Sequence, residues 1–301
     1  MPQRFHPIAI ANAKEVLFRR ALIGCGVFVF VLVVLAALTL VWQSGLAIRD
    51  LGPGFILGRV WDPVARQFGA LPFLVGTLLT SILALLIALP FSLALSVFLG
   101  EFFKTGWLAS ILGSAIELLA GIPSVIFGFW GLAVLVPMVQ ALEIQWGFVP
   151  YGVGIFSAAL VLAIMIIPFS ASLGREVMAL VPQDLKDAAL SLGATPWEVF
   201  RYVILPYSRS GLVSGLFMAF GRAISETMAV TMLIGNANFL PTSLFSPGNT
   251  LASSIANEFA EASDPLLRSS LVYLGLVLFM VTTVVTIVSR MVIRRIQVKV
   301  Q

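Results

Sequence analysis

Cysteine and histidine are almost absent from this sequence of 301 residues, which has one of each, Cys25 and His6. One cysteine cannot form an intrachain disulfide, and the two residues together cannot supply a Cys/His metal cluster or a Cys–His catalytic dyad. Because Cys25 lies in an apolar run, we predict that it only packs against its neighbours. The sequence therefore predicts no metal site, no cofactor and no catalytic thiol.

Charge is also scarce, since 11% of the residues are charged and 59% are hydrophobic. The mean hydropathy is +1.05. A soluble domain of this size cannot hide so much apolar surface, because much of its exterior must face water. The net charge of +4 does not indicate a nucleic-acid partner, because no basic run is interleaved with aromatic residues. We therefore predict an all-α integral membrane protein that is surrounded by lipid.

Two sequence features of enzymes are missing as well. The chain contains no Gly-Lys dipeptide, so it has no loop of the G-x-x-x-x-G-K-[ST] kind that binds ATP phosphates. Any activity that depends on ATP would then need a separate polypeptide to bind and hydrolyse it. No histidine or lysine lies inside a long apolar run, which argues against a membrane-embedded serine protease, because that enzyme needs a base within the membrane.

Long apolar runs are what the chain does contain, and a transmembrane helix needs roughly 20 such residues. Six transmembrane helices are predicted, at 21–42, 74–99, 125–142, 152–169, 211–234 and 270–293. The stretch 108–120 is also apolar, but Gly121, Pro123 and Gly128 interrupt it, which predicts a short interfacial helix before the third span. The first run is longer than the ~7–15 apolar residues of a signal peptide, so we predict a retained span.

Lysine and arginine predict the orientation, because they accumulate on the cytoplasmic side. One side holds Arg4, Lys14, Arg19, Arg20, Lys104, Arg175, Lys186, Arg201, Arg209, Arg290, Arg294, Arg295 and Lys299. The other side holds only Arg49, Arg59, Arg66 and Arg268. We therefore predict that both termini are cytoplasmic. The domains are a tail at 1–20, a six-span domain at 21–293 with an inside loop at about 174–208, and a tail at 294–301.

The inside loop reads VPQDLKDAALSLGATPWEVFRYVILP from 181 to 206. Pro182 suits the first turn of a helix, and Gly193 can take the left-handed conformation at its end. Thr195 and Glu198 then have the spacing of a capping box. The pattern predicts a helix, a tight turn and a second helix that runs toward Leu205 and stops near Pro206. The small side chains at 188–189 allow close approach by another surface, and the alternative is an ordinary interfacial amphipathic helix.

Arg222 and Glu226 lie in the middle of the fifth run, where ionisable residues usually mark an ion or substrate path. They are one helical turn apart, so their side chains can meet. Counted from Arg209 at the inner boundary, Arg222 lies about 18–20 Å along the helix, near the middle of a core ~30 Å thick. There its planar guanidinium can grip an anion, and Glu226 can neutralise it when the path is empty. The alternative is a buried ion pair that only fixes helix packing.

Small residues share the helix face of these two charges. At about 100° per residue, Arg222 and Glu226 fall within roughly 20° of Gly215 around the helix. Gly211 and Ala219 lie within about 40° of the same line, and Gly211 and Gly215 have the G-x-x-x-G spacing. We predict a helix interface at Gly211, Gly215 and Ala219, with the charges facing another helix or a cavity.

Ser124 and Thr227 complete the predicted substrate path. Ser124 follows Pro123, and a broken helix can aim backbone groups into a cavity. Thr227 follows Glu226 directly. For Ser124 the alternative is structural, because serine often satisfies backbone carbonyls inside membrane helices.

Part of the inside loop resembles the EAA loop of ABC importer permeases. Asp187-Ala188-Ala189 is followed after three residues by Gly193, and after nine more by a segment that ends in Leu205-Pro206. Asp187 stands where that family usually carries glutamate. The resemblance implies a coupling helix that docks on an ATPase subunit, with contacts from Asp187, Ala188, Ala189, Gly193, Leu205 and Pro206.

The segment at 221–230, GRAISETMAV, resembles the RAxGET segment of the phosphate-specific transport (Pst) permeases. Ser225 stands where that family usually has glycine. The stretches 68–81, 121–128 and 247–252 resemble the C-type subunit of the same family. The resemblance covers nearly the whole chain after residue 50.

This resemblance implies an ABC transporter type I permease fold in a bacterial inner membrane. It implies a permease subunit, not an enzyme, of an ATP-driven importer of inorganic phosphate. The implied partners are a second permease (PstA-like), two ATPases (PstB-like) and an extracytoplasmic phosphate-binding protein (PstS-like). Two alternatives stay open. The same architecture can carry another oxyanion such as sulfate, molybdate or phosphonate, or the chain can be a signalling or scaffold protein that reports phosphate status.

Overall fold

The computed structural model describes residues 8–103 and 105–296, with side chains from residue 15 onward. Arg4, His6, Lys104 and Lys299 lie outside the described residues. Within the described part, six helical stretches are long and apolar enough to cross a membrane. The predicted all-α class with six transmembrane helices is therefore confirmed.

Helices make up most of the described chain. In chain order they are α1 (Ile8–Gln43), α2 (Gly45–Leu51), α3 (Gly54–Leu57), α4 (Leu71–Val97), α5 (Trp107–Gly121), α6 (Ser124–Trp130), α7 (Val136–Gln145), α8 (Ile155–Ala179), α9 (Gln183–Ser191), α10 (Pro196–Val199), α11 (Leu205–Ser225), α12 (Met228–Leu233), α13 (Leu251–Glu258) and α14 (Pro265–Ile296). The π-helical segments Phe98–Phe102, Gly131–Leu135 and Phe200–Ile204 continue α4, α6 and α10. Strands β1 (Trp61–Asp62) and β2 (Gln67–Phe68) pair antiparallel between α3 and α4.

The fourth span is displaced from its predicted position at 152–169. Helix α8 begins at Ile155 and continues to Ala179. Its start is later because Gly152 has φ +67°, which is outside the α-helical region. Its end is later because Pro168 is accommodated inside the helix, as membrane helices allow when their surroundings satisfy the freed backbone groups.

Helix α8 is the centre of the bundle. Within the described residues, 67% of the most apolar 18-residue stretch of this span is buried. The same share is 28% for the second, third, fifth and sixth spans, and none of that stretch is buried in the first span. Small side chains let neighbouring helices approach it closely, and Ala158, Ala159 and Ala163 are all at most 1% exposed. At Gly174 an added Cβ would overlap the Ser96 hydroxyl of α4. Tight contact with α4 and α11 follows from these small residues.

Aromatic packing holds the connection between α1 and α4 against the ends of the bundle. The ring of Trp61 lies 5.0 Å from that of Phe73, and Phe55 stacks on Tyr273 of α14 at 4.3 Å. The indole N–H of Trp61 also donates to Oε2 of Glu258 at 2.9 Å. The hairpin therefore contacts α4 and α13, and α3 contacts α14, at one end of the molecule.

Candidate functional site

The fifth span is broken where the sequence predicted a continuous helix at 211–234. Helix α11 ends at Ser225 and α12 begins at Met228, so Glu226 and Thr227 lie between two helices. Glu226 has extended backbone angles, φ −68° and ψ 131°. The prediction that Glu226 continues the helix face of Gly215 is therefore wrong, because helical periodicity does not extend past the break.

Hydroxyl side chains explain how the helix ends without proline or glycine. The N–H of Glu226 donates to the carbonyl of Ala223 at 3.4 Å, so the Arg222 carbonyl loses its usual helical partner. The Ser225 hydroxyl donates to that Arg222 carbonyl at 3.1 Å. The Thr227 hydroxyl donates to the Ser225 carbonyl at 3.3 Å. Local bonds of this kind compete with helical ones and supply the freed carbonyls with partners.

Arg222 lies at the last turn of α11 and is exposed in this chain. Its guanidinium Cζ lies 5.8 Å from the ring centroid of Phe169 on α8, within the range of a cation–π contact. Glu226 is half-buried. Among the described residues, the ion pairs within 4.0 Å do not include one between Arg222 and Glu226. The two charges are thus near in sequence but are not bonded.

The small residues of α11 lie against α8. A Cβ at Gly211 would overlap the Val177 side chain, and one at Gly215 would lie 3.3 Å from Cδ2 of Leu173. Ala219 is 0% exposed. Since Val177, Leu173 and Phe169 follow one another at intervals of four residues, one stripe of α8 runs along α11 as far as Arg222. Phe169 could not be identified from the sequence, because only the packing of α8 on α11 brings its ring to Arg222.

A second break lies directly before the third span, next to the first. Ile122 and Pro123 are extended between α5 and α6, and the half-buried Ser124 begins α6. Helix α6 packs on α12, where a Cβ at Gly128 would lie 3.1 Å from Cα of Ala229. The third and fifth spans run in the same direction. Gly128 lies four residues after Ser124, and Ala229 lies three residues after Glu226. The two breaks are therefore within about one helical turn of each other in depth.

The inside loop forms the predicted helix, tight turn and start of a second helix. The prediction that the second helix stops near Pro206 is wrong, because α10, the π-helical segment and α11 form one continuous helical stretch from Pro196 to Ser225. Helix α9 is followed by Gly193 with φ +88° and by α10 with a complete capping box between Thr195 and Glu198. Asp187, Ala188 and Leu205 are exposed, whereas Ala189 and Pro206 are half-buried. These residues therefore present a partly open surface between the end of α8 and the first residues of α11. Lys186 is an exception on α9, because it is buried.

Comparison with known proteins identifies the family. The model of the family "Binding-protein-dependent transport system inner membrane component" matches residues 92–298. The chain is 46% identical to the phosphate transport system permease protein PstC of Pasteurella multocida, covering 95% of this chain and 93% of that one. It is also 46% identical to PstC of Haemophilus influenzae, covering 94% of each chain. A probable PstC of Methanocaldococcus jannaschii is 34% identical, over 86% of this chain and 87% of that one.

Solved structures support the same fold. An inward-facing structure of the MetNI methionine ABC transporter superposes with a TM-score of 0.55 at 17% identity, covering 74% of this chain and 92% of that one. A structure of an amino acid ABC transporter with histidines gives a TM-score of 0.52 at 18% identity, with the same coverage. The fold is thus that of an ABC transporter permease. The chain belongs to the binding-protein-dependent transport system inner membrane components and, among these, to the PstC family of phosphate transport system permease proteins.

Proposed function

We propose that this chain is the membrane-spanning permease subunit of an ATP-driven importer that moves inorganic phosphate into the cell. The observation that carries the proposal is Arg222, a permanent cation at a helix break in the fifth span, with no described carboxylate within 4.0 Å. A cation at membrane depth without a counter-charge suits a passing anion. Its planar fork matches two oxygens of a phosphate, and the named relatives are phosphate permeases.

The two helix breaks supply the rest of the proposed substrate path. Ser124 and Thr227 carry hydroxyls beside the breaks, and broken membrane helices are tolerated where they line a cavity. Glu226 stands on an unwound segment, so small changes in backbone dihedrals move its carboxylate without unwinding a helix. We propose that such a movement brings the carboxylate to Arg222, with which it forms no ion pair in the structure, and so balances the arginine charge when no anion is bound.

The inside loop is the proposed docking surface for the ATPase. Asp187 and Ala188 are exposed, and the turn at Gly193 sets the angle between α9 and α10. Ala189, Leu205 and Pro206 complete the contact in this proposal. The proposed assembly has a PstA-like second permease, two PstB-like ATPases and a PstS-like binding protein that delivers phosphate from outside. The absence of a phosphate-binding loop in this sequence supports a separate ATPase.

Transport itself is tested with the four kinds of subunit in proteoliposomes. We expect uptake of labelled phosphate only with ATP and the binding protein present, and we expect unlabelled phosphate to compete while sulfate and molybdate do not. An ATPase that cannot hydrolyse ATP should abolish uptake, because an importer depends on hydrolysis. Competition by sulfate or molybdate that equals competition by phosphate would assign the path to another oxyanion. Phosphate uptake that is independent of ATP would contradict the proposal.

The proposed orientation places both termini in the cytoplasm of a bacterial inner-membrane protein, and a single cysteine makes this testable. In a Cys25→Ser background, cysteine is introduced at Val64 in the β hairpin or at Leu192 in the inside loop, which are 95% and 90% exposed. A membrane-impermeant maleimide should label Val64→Cys from outside, and Leu192→Cys only in inverted vesicles. The reverse labelling pattern would overturn the orientation.

A further inference from the structure

A buried ion pair joins the inside loop to the second span. Nζ of Lys186 on α9 lies 2.6 Å from Oε2 of Glu101, in the π-helical segment that continues α4. The two side chains are only 5% and 17% exposed. A charge-assisted bond of this length is short and directional. It lies immediately beside Asp187, the first residue of the proposed ATPase contact.

A second contact fastens the same end of α4 to the other side of the loop. The ring of Phe102 lies 6.0 Å from that of Phe200, and Phe200 lies 5.4 Å from Trp197 on α10. Gly100 lies against α8, where an added Cβ would be 3.1 Å from Cβ of Met178. The segment Phe98–Phe102 therefore contacts α8, α9 and the residues after α10 at once.

The kind of contact differs across this junction. The remaining core under the loop is apolar and includes Met178, Val199 and Ile204. Apolar contact is non-directional, so one surface can slide on the other with little change in buried area. The Lys186–Glu101 bond resists sliding because it weakens steeply as its length and angle change. In the described part of the chain, the other side-chain hydrogen bonds of α9 stay within α9.

We propose that Lys186 and Glu101 are positioning residues that transmit a displacement of α9 to α4. This inference rests on the proposed importer function. A partner ATPase that moves α9 pulls Glu101 and the inner end of α4 with it. Helix α4 packs on α8, and α8 carries Phe169 beside Arg222, so the link is contiguous from the loop to the proposed path. Segments of π-helix often occur at such functional positions.

The test measures phosphate imported per ATP hydrolysed in proteoliposomes with the complete complex. We compare Lys186→Met, Glu101→Gln and the charge-swapped double variant Lys186→Glu/Glu101→Lys. Glu176→Gln is the matched control, because Glu176 is an exposed carboxylate at the inner end of α8. Each single variant should lower the ratio on the order of tenfold, as expected for a lost coupling energy, while ATP hydrolysis continues. The charge swap should restore much of the ratio, and the control should leave it unchanged.

The outcomes separate the link from the importer function itself. If the native complex imports no phosphate, the proposed function fails. If the native complex imports phosphate and both single variants assemble with an unchanged ratio, the link is refuted while the function stands. Where a single variant does not assemble, the ratio of phosphate imported to ATP hydrolysed by the charge-swapped variant tests the link. A ratio near the native value supports the link, and a ratio that stays at least tenfold low, or a swap that does not assemble either, refutes the ion pair as its basis.

Discussion

Replacing Arg222 with glutamine should stop phosphate uptake while the protein still inserts and assembles. A bidentate guanidinium makes two charge-assisted hydrogen bonds to a phosphate, each worth about 1.5–3 kcal/mol. Losing both corresponds to at least about a hundredfold lower uptake at limiting phosphate. Glutamine keeps a polar side chain of good helix propensity, but it has neither the positive charge nor the paired N–H donors of the guanidinium group.

Assembly should survive this change because Arg222 contributes little to the packing of the chain. It is exposed, and its described contact is the ring of Phe169. Uptake of labelled phosphate in proteoliposomes is the measurement, and the yield of the purified complex reports assembly. Arg290→Gln is the matched control, because Arg290 is an exposed arginine near the C-terminal end of α14. Normal uptake by the Arg222 variant would remove the main argument for the proposed path.

Replacing Gly76 with valine should destabilise the chain by about 3 kcal/mol, the upper range for overpacking a tight contact. A Cβ at Gly76 would overlap the carbonyl oxygen of Asn249 and lie 3.1 Å from the carbonyl carbon. The loop cannot easily retreat, because Asn249 donates to Oδ1 of Asn238 at 2.8 Å and accepts from the N–H of Thr250 at 3.0 Å. The strain therefore falls on the backbone of Asn249, a residue whose side chain is held by both of these bonds.

Thermal unfolding of the purified chain measures this effect, with a decrease in Tm of roughly 5–10 °C expected from the typical entropy of unfolding. Gly26→Val in α1 is the matched control. It makes the same substitution in a membrane-spanning helix, but an added Cβ there meets nothing within 4 Å. If both variants unfold at the same temperature, the contact between Gly76 and Asn249 does not hold this end of the bundle.

The sequence predicts the spans well because the membrane leaves few choices. Backbone groups inside lipid must be bonded within a helix, so a run of apolar residues already determines helical structure. The inside loop was equally readable, because a capping box and a left-handed glycine are local signals at fixed offsets. The Thr195–Glu198 cap and the φ of +88° at Gly193 follow from residues that are neighbours in the chain.

Features that depend on distant contacts were not predictable in this way. The break at Glu226 has no glycine or proline beside it. Only the structure shows that the Ser225 and Thr227 hydroxyls donate hydrogen bonds to the backbone carbonyls of Arg222 and Ser225 there. The bond between Lys186 and Glu101 joins residues 85 positions apart. Lys186 reads in the sequence as a surface charge of a cytoplasmic loop, and only the approach of α4 to α9 buries it.

Helix α1 stands apart from the constraints that act on the other spans. None of the residues in its most apolar stretch is buried within the described chain. Packing against this chain therefore constrains its leucine, valine and phenylalanine residues little. Its length is another matter. The stretch Glu15–Gln43 has 29 residues, which at 1.5 Å each gives about 43 Å, against a hydrocarbon core of ~30 Å. Such a helix must tilt or place its ends among the headgroups. The arrangement of α1 therefore depends on the thickness of the membrane more than on packing against the rest of the chain.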